Sequence, residues 1–334
     1  MSLDIKSNKM KGIEITSPGN PEVLVYKDFP IPKTSKNEVL IKNSAIGVNR
    51  ADCLQRAGTY PVPKNSSQML GLEVSGIIID VGENVSNWSL GDEVCALTSG
   101  GGYAEYSIAN SDHCFQIPQD YSLIESATLP EAAFTVYDNI FQRGKLSHGE
   151  TLLLHGGSSG IGCFAIQLAK AMNAKVITTS SSEEKCKLCF KLGSDFSINY
   201  HTEDWVERVL NITKGQGVNV LLDVVAGDYA EKNISVLAYQ GRQITIAFQR
   251  GKSANVDFSL VMRNQLILTG STLRPQSDER KTNTAKNIKM NVWPFIEEGK
   301  IKPVIHSTFS LRDAHKAHAL MESGEHFGKI ILIP

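Results

Sequence analysis

The sequence predicts an α/β protein in which a strand-rich domain accompanies a doubly wound parallel sheet. The chain has 334 residues, which at roughly 150 residues per domain corresponds to about two domains. Up to about residue 120, short β-branched segments are separated by glycine or proline, as in an irregular strand-rich domain. From Pro130 to about Ser271, strand-like and helix-like segments alternate, which is typical of a parallel sheet covered by helices.

The predicted elements follow this division along the chain. In the strand-rich part, β-branched segments predict strands at residues 10–15, 24–29, 39–48, 74–81, 93–96 and 103–108. In the alternating part, apolar strands at 151–155, 175–179, 218–223, 243–247 and 266–270 are interleaved with helices that begin at Gly160, Ser182 and Asp228. The remaining chain predicts a polar helix at about 278–298, a strand at 303–309, a helix at 312–322 and a strand at 329–333.

Composition narrows the class of partner. Hydrophobic residues make up 41% of the chain, and its 34 basic residues are balanced by 35 acidic ones. This balance argues against a nucleic acid or a membrane surface as the partner, so we expect a small-molecule ligand. The six cysteines are too few for a disulfide framework, the N-terminus is polar, and no segment reaches the ~18 apolar residues of a membrane helix. We therefore expect a cytoplasmic, reducing location.

A glycine-rich turn follows the buried-strand residues 152–154. It reads His155-Gly156-Gly157-Ser158-Ser159-Gly160-Ile161-Gly162 and precedes a helix with apolar residues at helical spacing. Glycines at such a turn allow a close backbone approach, and free amides at the helix start bind a pyrophosphate. Gly157 and Gly162 match the outer positions of the GxGxxG pattern, whereas Ser159 stands at the middle one. Because strand, turn, helix and strand follow in order, the turn is a predicted dinucleotide site.

The end of the second strand of this unit indicates which dinucleotide binds. An acidic residue there accepts the ribose hydroxyls of NAD, but Ser180 occupies the place. Ser181, Ser182 and Lys185 offer hydroxyls and a cation that suit the 2′-phosphate of NADPH. The two glutamates between them favour NADH, although Ser181 to Glu184 has the spacing of a capping box, which explains acids at a helix start. We therefore favour NADPH.

Short motifs follow one another along the chain in a specific order. They include Asn49-Arg50-Ala51-Asp52, Gln55-Arg56, Tyr60-Pro61, Gly71-Leu72-Glu73-Val74-Ser75-Gly76, Gly101-Gly102-Tyr103-Ala104-Glu105-Tyr106, Pro130-Glu131-Ala132 and Gly328-Lys329-Ile330. In this order they resemble the medium-chain dehydrogenase/reductase superfamily, and within it the zinc-free NADPH:quinone oxidoreductase branch, closest to the p53-inducible type. The resemblance implies a GroES-like catalytic domain at residues 1–126 and 272–334, a Rossmann cofactor domain at 127–271, and a homodimer.

Zinc alcohol dehydrogenases of this superfamily hold their metal with a cysteine, a histidine and a second cysteine. The resemblance puts Asn49, Leu72 and Glu131 at those three places. Catalytic zinc needs three protein ligands and an open position, and a leucine supplies no donor atom. The four-cysteine structural zinc motif is missing as well, and Cys186-x-x-Cys189 is a single pair on a predicted helix. We expect no metal site.

A site without zinc favours a reactive hydride acceptor. Zinc stabilises the alkoxide that forms when an aldehyde is reduced, whereas a quinone or an enone gives a delocalised anion that modest hydrogen-bond donors stabilise. We predict Asn49, Tyr60 and Thr135 as the catalytic residues, with Asn49 also near the nicotinamide ribose and Thr135 on the nicotinamide side. Tyr60 either orients the acceptor or donates a proton, or it is an aromatic plug before Pro61.

The resemblance implies a cofactor site that extends beyond the glycine turn. Tyr200 either contacts the adenosine or is a partly buried tyrosine at a strand end, which is the commoner case. Residues expected by position around the ribose and the nicotinamide are Val225, Ala226, Phe248, Gln249, Ser271, Thr272, Leu273 and Lys329. For Phe248 and Leu273, packing in a loop or core is an equally good explanation.

Two other functions stay open. A reductase of α,β-unsaturated ketones or aldehydes that uses NADPH requires the same hydride geometry. An NADPH-binding redox sensor or RNA-binding protein with little catalysis belongs to another class. The lack of basic clusters disfavours RNA binding. The histidines predict no site, because His155 is expected to be structural, and His315 and His318 share a helix face that is expected to be exposed.

Overall fold

The computed structural model describes residues 8–64 and 66–334. Contacts between Cα atoms divide the chain into two compact units. The first contains the chain up to Ala132 together with Arg274–Trp293 and Pro303–Pro334, and the second contains Ala133–Leu273 and Pro294–Lys302. The predicted domain limits, 126/127 and 271/272, lie near two of these breaks, whereas Pro294–Lys302 belongs to the second unit.

The strands are numbered in chain order. They are β1 (Lys9–Ile15), β2 (Leu24–Pro30), β3 (Glu38–Val48), β4 (Glu73–Val81), β5 (Glu93–Leu97), β6 (Tyr106–Asn110), β7 (Cys114–Gln116), β8 (Thr151–His155), β9 (Lys175–Ser180), β10 (Phe196–Asn199), β11 (Val218–Asp223), β12 (Leu237–Thr245), β13 (Ile267–Gly270), β14 (Ile305–Ser310) and β15 (Lys329–Ile333).

The helices are numbered in the same way. They are α1 (Arg50–Arg56), α2 (Leu123–Ser126), α3 (Pro130–Val136), α4 (Gly160–Ala171), α5 (Glu183–Lys191), α6 (Trp205–Ile212), α7 (Ala230–Ser235), α8 (Phe258–Arg263), α9 (Asp278–Asn291), α10 (Trp293–Glu297) and α11 (Ala314–Ser323). A π-helical segment, Tyr137–Arg143, follows α3.

The first unit contains two sheets. Strands β1 and β2 form an antiparallel pair, and a larger mixed sheet has the order β14-β15-β3-β4-β5-β7, with β6 also paired to β3. Its core is a cluster of buried aliphatic side chains, among which Val39, Ile41, Ile46, Val74 and Ile78 are at most 1% exposed. The unit is therefore the strand-rich, GroES-like part of the α/β fold that the sequence predicts.

The second unit contains one parallel sheet in the order β10-β9-β8-β11-β12-β13. The chain starts in the middle, winds to one edge and then returns to the other, which is the doubly wound Rossmann topology. Leu152, Leu153 and Leu154 on the central strand β8 are at most 1% exposed, because a parallel strand covered on both faces needs an apolar residue at every position. The predicted fold class is confirmed.

Some element boundaries predicted from the sequence are wrong. The strand expected at 103–108 is β6 (Tyr106–Asn110), and Tyr103 lies before it as a fully buried side chain. The polar helix expected at 278–298 is two helices, α9 and α10. Pro294 is the reason for the break, since proline is tolerated in the first turn of α10 but not inside a continuous helix.

The expected exposure of His318 is also wrong. Its side chain is fully buried, and its ring contacts the Tyr103 hydroxyl at 2.9 Å and Arg56 Nη1 at 3.2 Å. Burial and the neighbouring guanidinium lower the pKa of His318 to about 3, so the imidazole is neutral. Helical spacing revealed that two histidines share a face but not that a buried tyrosine and arginine lie against it.

In the described part of the chain, no helix is long and apolar enough to cross a membrane. All six cysteines are free and buried. Cys186 and Cys189 lie on α5 as a buried helix face, and His155 is buried between Thr179 and Asn233, to which its ring nitrogens are bonded.

Candidate active site

Three strand ends of the first unit bring Asn49, Glu73 and Lys329 together. Strands β15 and β3 are antiparallel with Ile330 opposite Val48, so Lys329 at the start of β15 faces the residue after β3, which is Asn49. The register of β3 and β4 pairs Ile46 with Val74, which places Glu73 beside the same end of β3. Strand register therefore positions three polar side chains that are far apart in the sequence.

These three side chains form a buried hydrogen-bond network. Lys329 Nζ donates to Asn49 Oδ1 at 2.8 Å and also to Glu73 Oε1, while Asn49 Nδ2 donates to the same Glu73 oxygen at 2.9 Å. Glu73 is fully buried and Lys329 is 5% exposed. The Asn49 amide nitrogen donates to Glu73 and its oxygen accepts from Lys329, so both polar atoms of this amide are held in fixed directions.

Two further carboxyl groups lie next to this network. Asp52 accepts the backbone amides of Asn49 at 2.8 Å and Gly71 at 2.9 Å, yet burial raises the pKa of Asp52 to about 6. Glu131 is only partly buried, but burial and the charge of Glu73 raise the pKa of Glu131 to about 8. The site thus contains carboxyl groups whose proton affinities differ strongly, as expected where proton transfer takes place.

Tyr60 is partly buried in the same unit. Burial and the charge of Glu131 raise the pKa of Tyr60 to about 12, so its hydroxyl stays protonated and is a hydrogen-bond donor at neutral pH. Arg274, which also acts on Tyr60 electrostatically, is buried and donates to Gln55 Oε1 at 2.6 Å and to the Ser67 carbonyl at 2.9 Å. The arginine thereby fixes the loop that follows Tyr60.

In the second unit, the glycine-rich turn connects β8 to α4 tightly. A Cβ atom added at Gly162 would lie 2.4 Å from the Gly156 carbonyl oxygen, and one at Gly157 would lie 2.6 Å from the Thr178 Cβ. Ser159 is the N-cap and accepts the Gly162 amide at 3.0 Å. The first amides of α4, at Gly160 and Ile161, have no acceptor inside the helix, as at any helix start, and such groups bind phosphate.

The end of β9 carries the residues predicted to select the coenzyme. Ser182, not Ser181, caps α5, because its hydroxyl accepts the Lys185 amide at 3.3 Å, so the predicted Ser181–Glu184 capping box is wrong by one residue. Glu183 accepts the Asn199 side-chain amide at 3.1 Å. Helix capping and this bond account for acidic residues here without a ribose contact.

The other predicted cofactor residues of the second unit lie at loops after the strands. Tyr200 follows β10, is 38% exposed, and donates its backbone amide to the Ser180 carbonyl at 3.1 Å. The buried Asp223 carboxylate accepts the amides of Val225 and Ala226 at 2.8 and 3.0 Å and fixes the loop after β11.

Phe248 and Gln249 are exposed in the loop after β12, where Lys252 Nζ lies 5.3 Å from the Phe248 ring centre. Ser271 Oγ donates to Asn139 Oδ1 at 2.7 Å, and Leu273 is partly buried. Thr135 is buried in the second unit, and its carbonyl accepts the Asn139 side-chain amide at 2.8 Å. The structure thus brings Asn49 and Lys329 together, and it places Tyr60 in their unit and Thr135 in the other.

The residues at the superfamily's zinc places do not fit a metal. Leu72 is a buried side chain without a donor atom, and the Asn49 side-chain oxygen is bonded to the Lys329 ammonium. Over residues 8–64 and 66–334, no group of three or more histidine, cysteine, aspartate or glutamate side chains is arranged to hold a metal ion. These side chains lack the three-ligand set that catalytic zinc requires.

Sequence reasoning missed the roles of Glu73, Asp52 and Asp223. Glu73 has no local signal, because Asn49 and Lys329 become its neighbours through strand register. Asp52 has one, because it is the third residue of α1 and accepts the amide of the N-cap Asn49 in a capping box. Asp223 ends a buried apolar strand, and a lone acid at such a place is a signal that a following loop needs its carboxylate.

Two protein-family models match this chain. Residues 35–119 match the alcohol dehydrogenase GroES-like domain, and residues 160–287 match the family described as zinc-binding dehydrogenase. The chain is 30% identical over 327 residues to the quinone oxidoreductase of Rattus norvegicus, covering 97% of this chain and 98% of the relative. It is 31% identical to quinone oxidoreductase 1 of Escherichia coli, covering 96% and 99%.

Solved structures show the same similarity. The Escherichia coli quinone oxidoreductase complexed with NADPH superimposes with a TM-score of 0.86 at 30% identity, covering 97% of this chain and 100% of that one. A mycobacterial protein complexed with NADPH has a TM-score of 0.87 at 29% identity, with the same coverage. The chain belongs to the quinone oxidoreductase branch of the medium-chain dehydrogenase/reductase superfamily.

Proposed function

We propose that this protein is a quinone oxidoreductase that uses NADPH and works without zinc. The observation that carries the proposal is the Lys329–Asn49–Glu73 network, in which the amide of Asn49, at one of the places of a zinc ligand, is bonded to the Lys329 ammonium and to Glu73. Two relatives whose structures superimpose over almost the whole chain are complexed with NADPH. When bound, NADPH supplies the hydride that the reaction requires.

The residues of the second unit fit the phosphate groups of NADPH. The tight turn at Gly157 and Gly162 leaves the amides at the start of α4 available for the pyrophosphate. Ser180 in place of an acid, with Ser181, Ser182 and Lys185 after it, suits a 2′-phosphate rather than a free hydroxyl. We assign Val225, Ala226, Phe248, Gln249, Ser271 and Leu273 to the ribose and nicotinamide half, and Tyr200 to the adenosine.

The residues of the first unit act on the acceptor. Tyr60 orients it through a hydrogen bond from its hydroxyl, Asn49 is assigned to the same acceptor site with its amide held by Glu73 and Lys329, and Thr135 of the second unit is assigned to the nicotinamide side. Because the hydroquinone anion is delocalised, a neutral donor such as the Tyr60 hydroxyl stabilises it sufficiently. We propose a quinone rather than an enone as the acceptor, and the resemblance to the p53-inducible type is part of this proposal.

Steady-state turnover tests this function. We expect NADPH oxidation, followed at 340 nm, with ortho- and para-quinones and much slower oxidation with α,β-unsaturated ketones and aldehydes. Faster turnover with the enones would support the alternative reductase function, and NADPH binding without turnover of either class would support the sensor function. Elemental analysis of the purified protein is expected to find no stoichiometric zinc, and about one zinc per chain whose removal abolishes activity would contradict the zinc-free site.

We also propose that the chain forms a homodimer through the edge strand β13. In the described chain this strand pairs only with β12. Ile267 is 54% exposed, and Phe258 and Met262 on α8 are 72% and 74% exposed. An unpaired strand edge flanked by large apolar side chains favours pairing with a second copy. Light scattering is expected to give twice the chain mass for the wild type and the monomer mass for Ile267→Lys, and a monomeric wild type contradicts the dimer.

For the location, we infer a reducing cytoplasm, because all six cysteines are free and buried.

A further inference from the structure

Glu131, in the first unit, is bonded to the surrounding network through its backbone amide but not through its carboxyl group. Its backbone amide donates to Glu73 Oε2 at 2.8 Å, which places the residue next to the Lys329–Asn49–Glu73 network. Among the described residues, no hydrogen bond or ion pair engages its carboxyl group. The residue as a whole is only partly buried, so part of its surface is accessible to a small molecule.

The charges around Glu131 explain why it has no cationic partner. It faces Glu73 on β4, Asp52 on α1, Lys329 on β15 and Lys281 on α9. The Lys329 ammonium is bonded to Glu73, and the Lys281 ammonium donates to the Arg274 carbonyl at 2.9 Å. Tyr60 and Arg274 also interact electrostatically with Glu131.

These surroundings favour the protonated form of Glu131. Burial and the charge of Glu73 outweigh the two ammonium groups and raise the pKa of Glu131 to about 8. A carboxyl group that keeps its proton at neutral pH and still has access to a ligand is suited to general acid catalysis. Tyr60 is a weaker acid at this site, because its pKa is raised to about 12.

We propose that Glu131 is a catalytic residue that donates the proton that completes the hydroquinone. This inference rests on the quinone reduction proposed above. NADPH provides a hydride, which is two electrons and one proton, and the quinone then needs one more proton. The O–H bond of Glu131 breaks, its electron pair stays on the carboxylate, and a new O–H bond forms on the quinone oxygen. The carboxylate regains its proton from water, so the products are NADP⁺ and hydroquinone.

The isosteric variant Glu131→Gln tests the proposal. General acid catalysis contributes about 10²- to 10⁴-fold, so kcat/KM for a para-benzoquinone at pH 7 is expected to fall at least ~100-fold. In the wild type, kcat/KM is expected to fall as the pH rises above about 8, and this alkaline limb should be absent in the variant. The NADPH dissociation constant, from fluorescence titration, should change less than about twofold, a difference below 0.5 kcal/mol.

Two more variants separate acid catalysis from a structural effect. Glu131→Asp keeps a carboxylic acid, so it should recover part of the rate and retain an alkaline limb. Glu83→Gln, a matched change at an exposed glutamate paired with Lys36, should leave rate and pH profile unchanged. A Glu131→Gln protein with the wild-type rate and pH profile overturns the proposal, as does one that is slow but keeps the alkaline limb. A wild type that reduces no quinone overturns the proposed function itself, irrespective of Glu131.

Discussion

Lys329 and Asn49 are joined by a 2.8 Å hydrogen bond from the lysine ammonium to the asparagine side-chain oxygen, across 280 positions of sequence. The same ammonium is bonded to the fully buried Glu73. The bond therefore links the role proposed for Asn49 to stability, because the side chain that orients Asn49 also forms an ion pair with a buried carboxylate. Removing the Lys329 side chain should therefore affect both the activity and the stability.

Lys329→Met should destabilise the protein by about 3–5 kcal/mol, because it leaves the Glu73 carboxylate buried without a cation. The double variant Glu73→Gln/Lys329→Met should recover most of this loss, since it removes both charges. Lys36→Met, which breaks an exposed ion pair with Glu83, should cost less than about 1 kcal/mol. Urea unfolding measures all three, and equal losses for Lys36→Met and Lys329→Met would contradict the assignment.

Gly162→Ala tests the link between the glycine turn and the cofactor. The new Cβ would lie 2.4 Å from the Gly156 carbonyl oxygen, so the turn must shift and its amides must move. We expect NADPH affinity to fall at least about tenfold, or 1.4 kcal/mol, in a protein that circular dichroism shows to be folded. Lys170→Ala, near the other end of α4, loses a partly exposed ion pair with Asp195 and should bind NADPH normally. A folded Gly162→Ala protein with unchanged affinity would make the turn purely structural.

What the sequence predicts well is local. The turn after β8 is one continuous segment, and its conformation depends on its own glycines and on the N-cap Ser159 of the helix that follows. A local sequence pattern is therefore enough to predict it. The network of Glu73 and Lys329 depends instead on strand register across 256 positions, which no local pattern encodes. The exposure predicted for His318 is wrong for the same reason, since its partners Tyr103 and Arg56 lie on distant segments of the chain.

Coenzyme choice is expected to depend on Lys185. Lys185→Ala should raise KM for NADPH at least about tenfold, because a charge-assisted hydrogen bond contributes about 1.5–3 kcal/mol, and should leave KM for NADH nearly unchanged. Lys187→Ala, on the exposed face of the same helix, is the matched control and should alter neither. Initial rates at saturating quinone provide the measurement. Parallel changes for both coenzymes would mean that the ammonium does not meet a 2′-phosphate.

Glu131 should also make the folded protein less stable as the pH rises. Its pKa of about 8 in the fold exceeds the ~4.3 of a glutamate in an unfolded chain, so the folded state binds the extra proton between these values. The contribution of Glu131 to the free energy of unfolding is therefore full below about pH 4. It falls by about 1.4 kcal/mol per pH unit until Glu131 ionises near pH 8.

Other groups also contribute to the pH dependence of stability between pH 6 and 8, so the contribution of Glu131 is measured as the difference between the wild type and Glu131→Gln. Asp52, whose pKa burial raises to about 6, still loses protons from the folded state near pH 6, and His318, whose pKa burial lowers to about 3, titrates near pH 6.5 only in the unfolded chain. From pH 6 to pH 8 the free energy of unfolding, measured with urea, should therefore decrease more in the wild type than in Glu131→Gln, by about 2 kcal/mol. The comparison uses slopes rather than absolute stabilities, so a constant cost of the substitution does not affect it. Identical slopes in the two proteins would show that Glu131 is already ionised at pH 6, and a carboxylate in that state has no proton to donate.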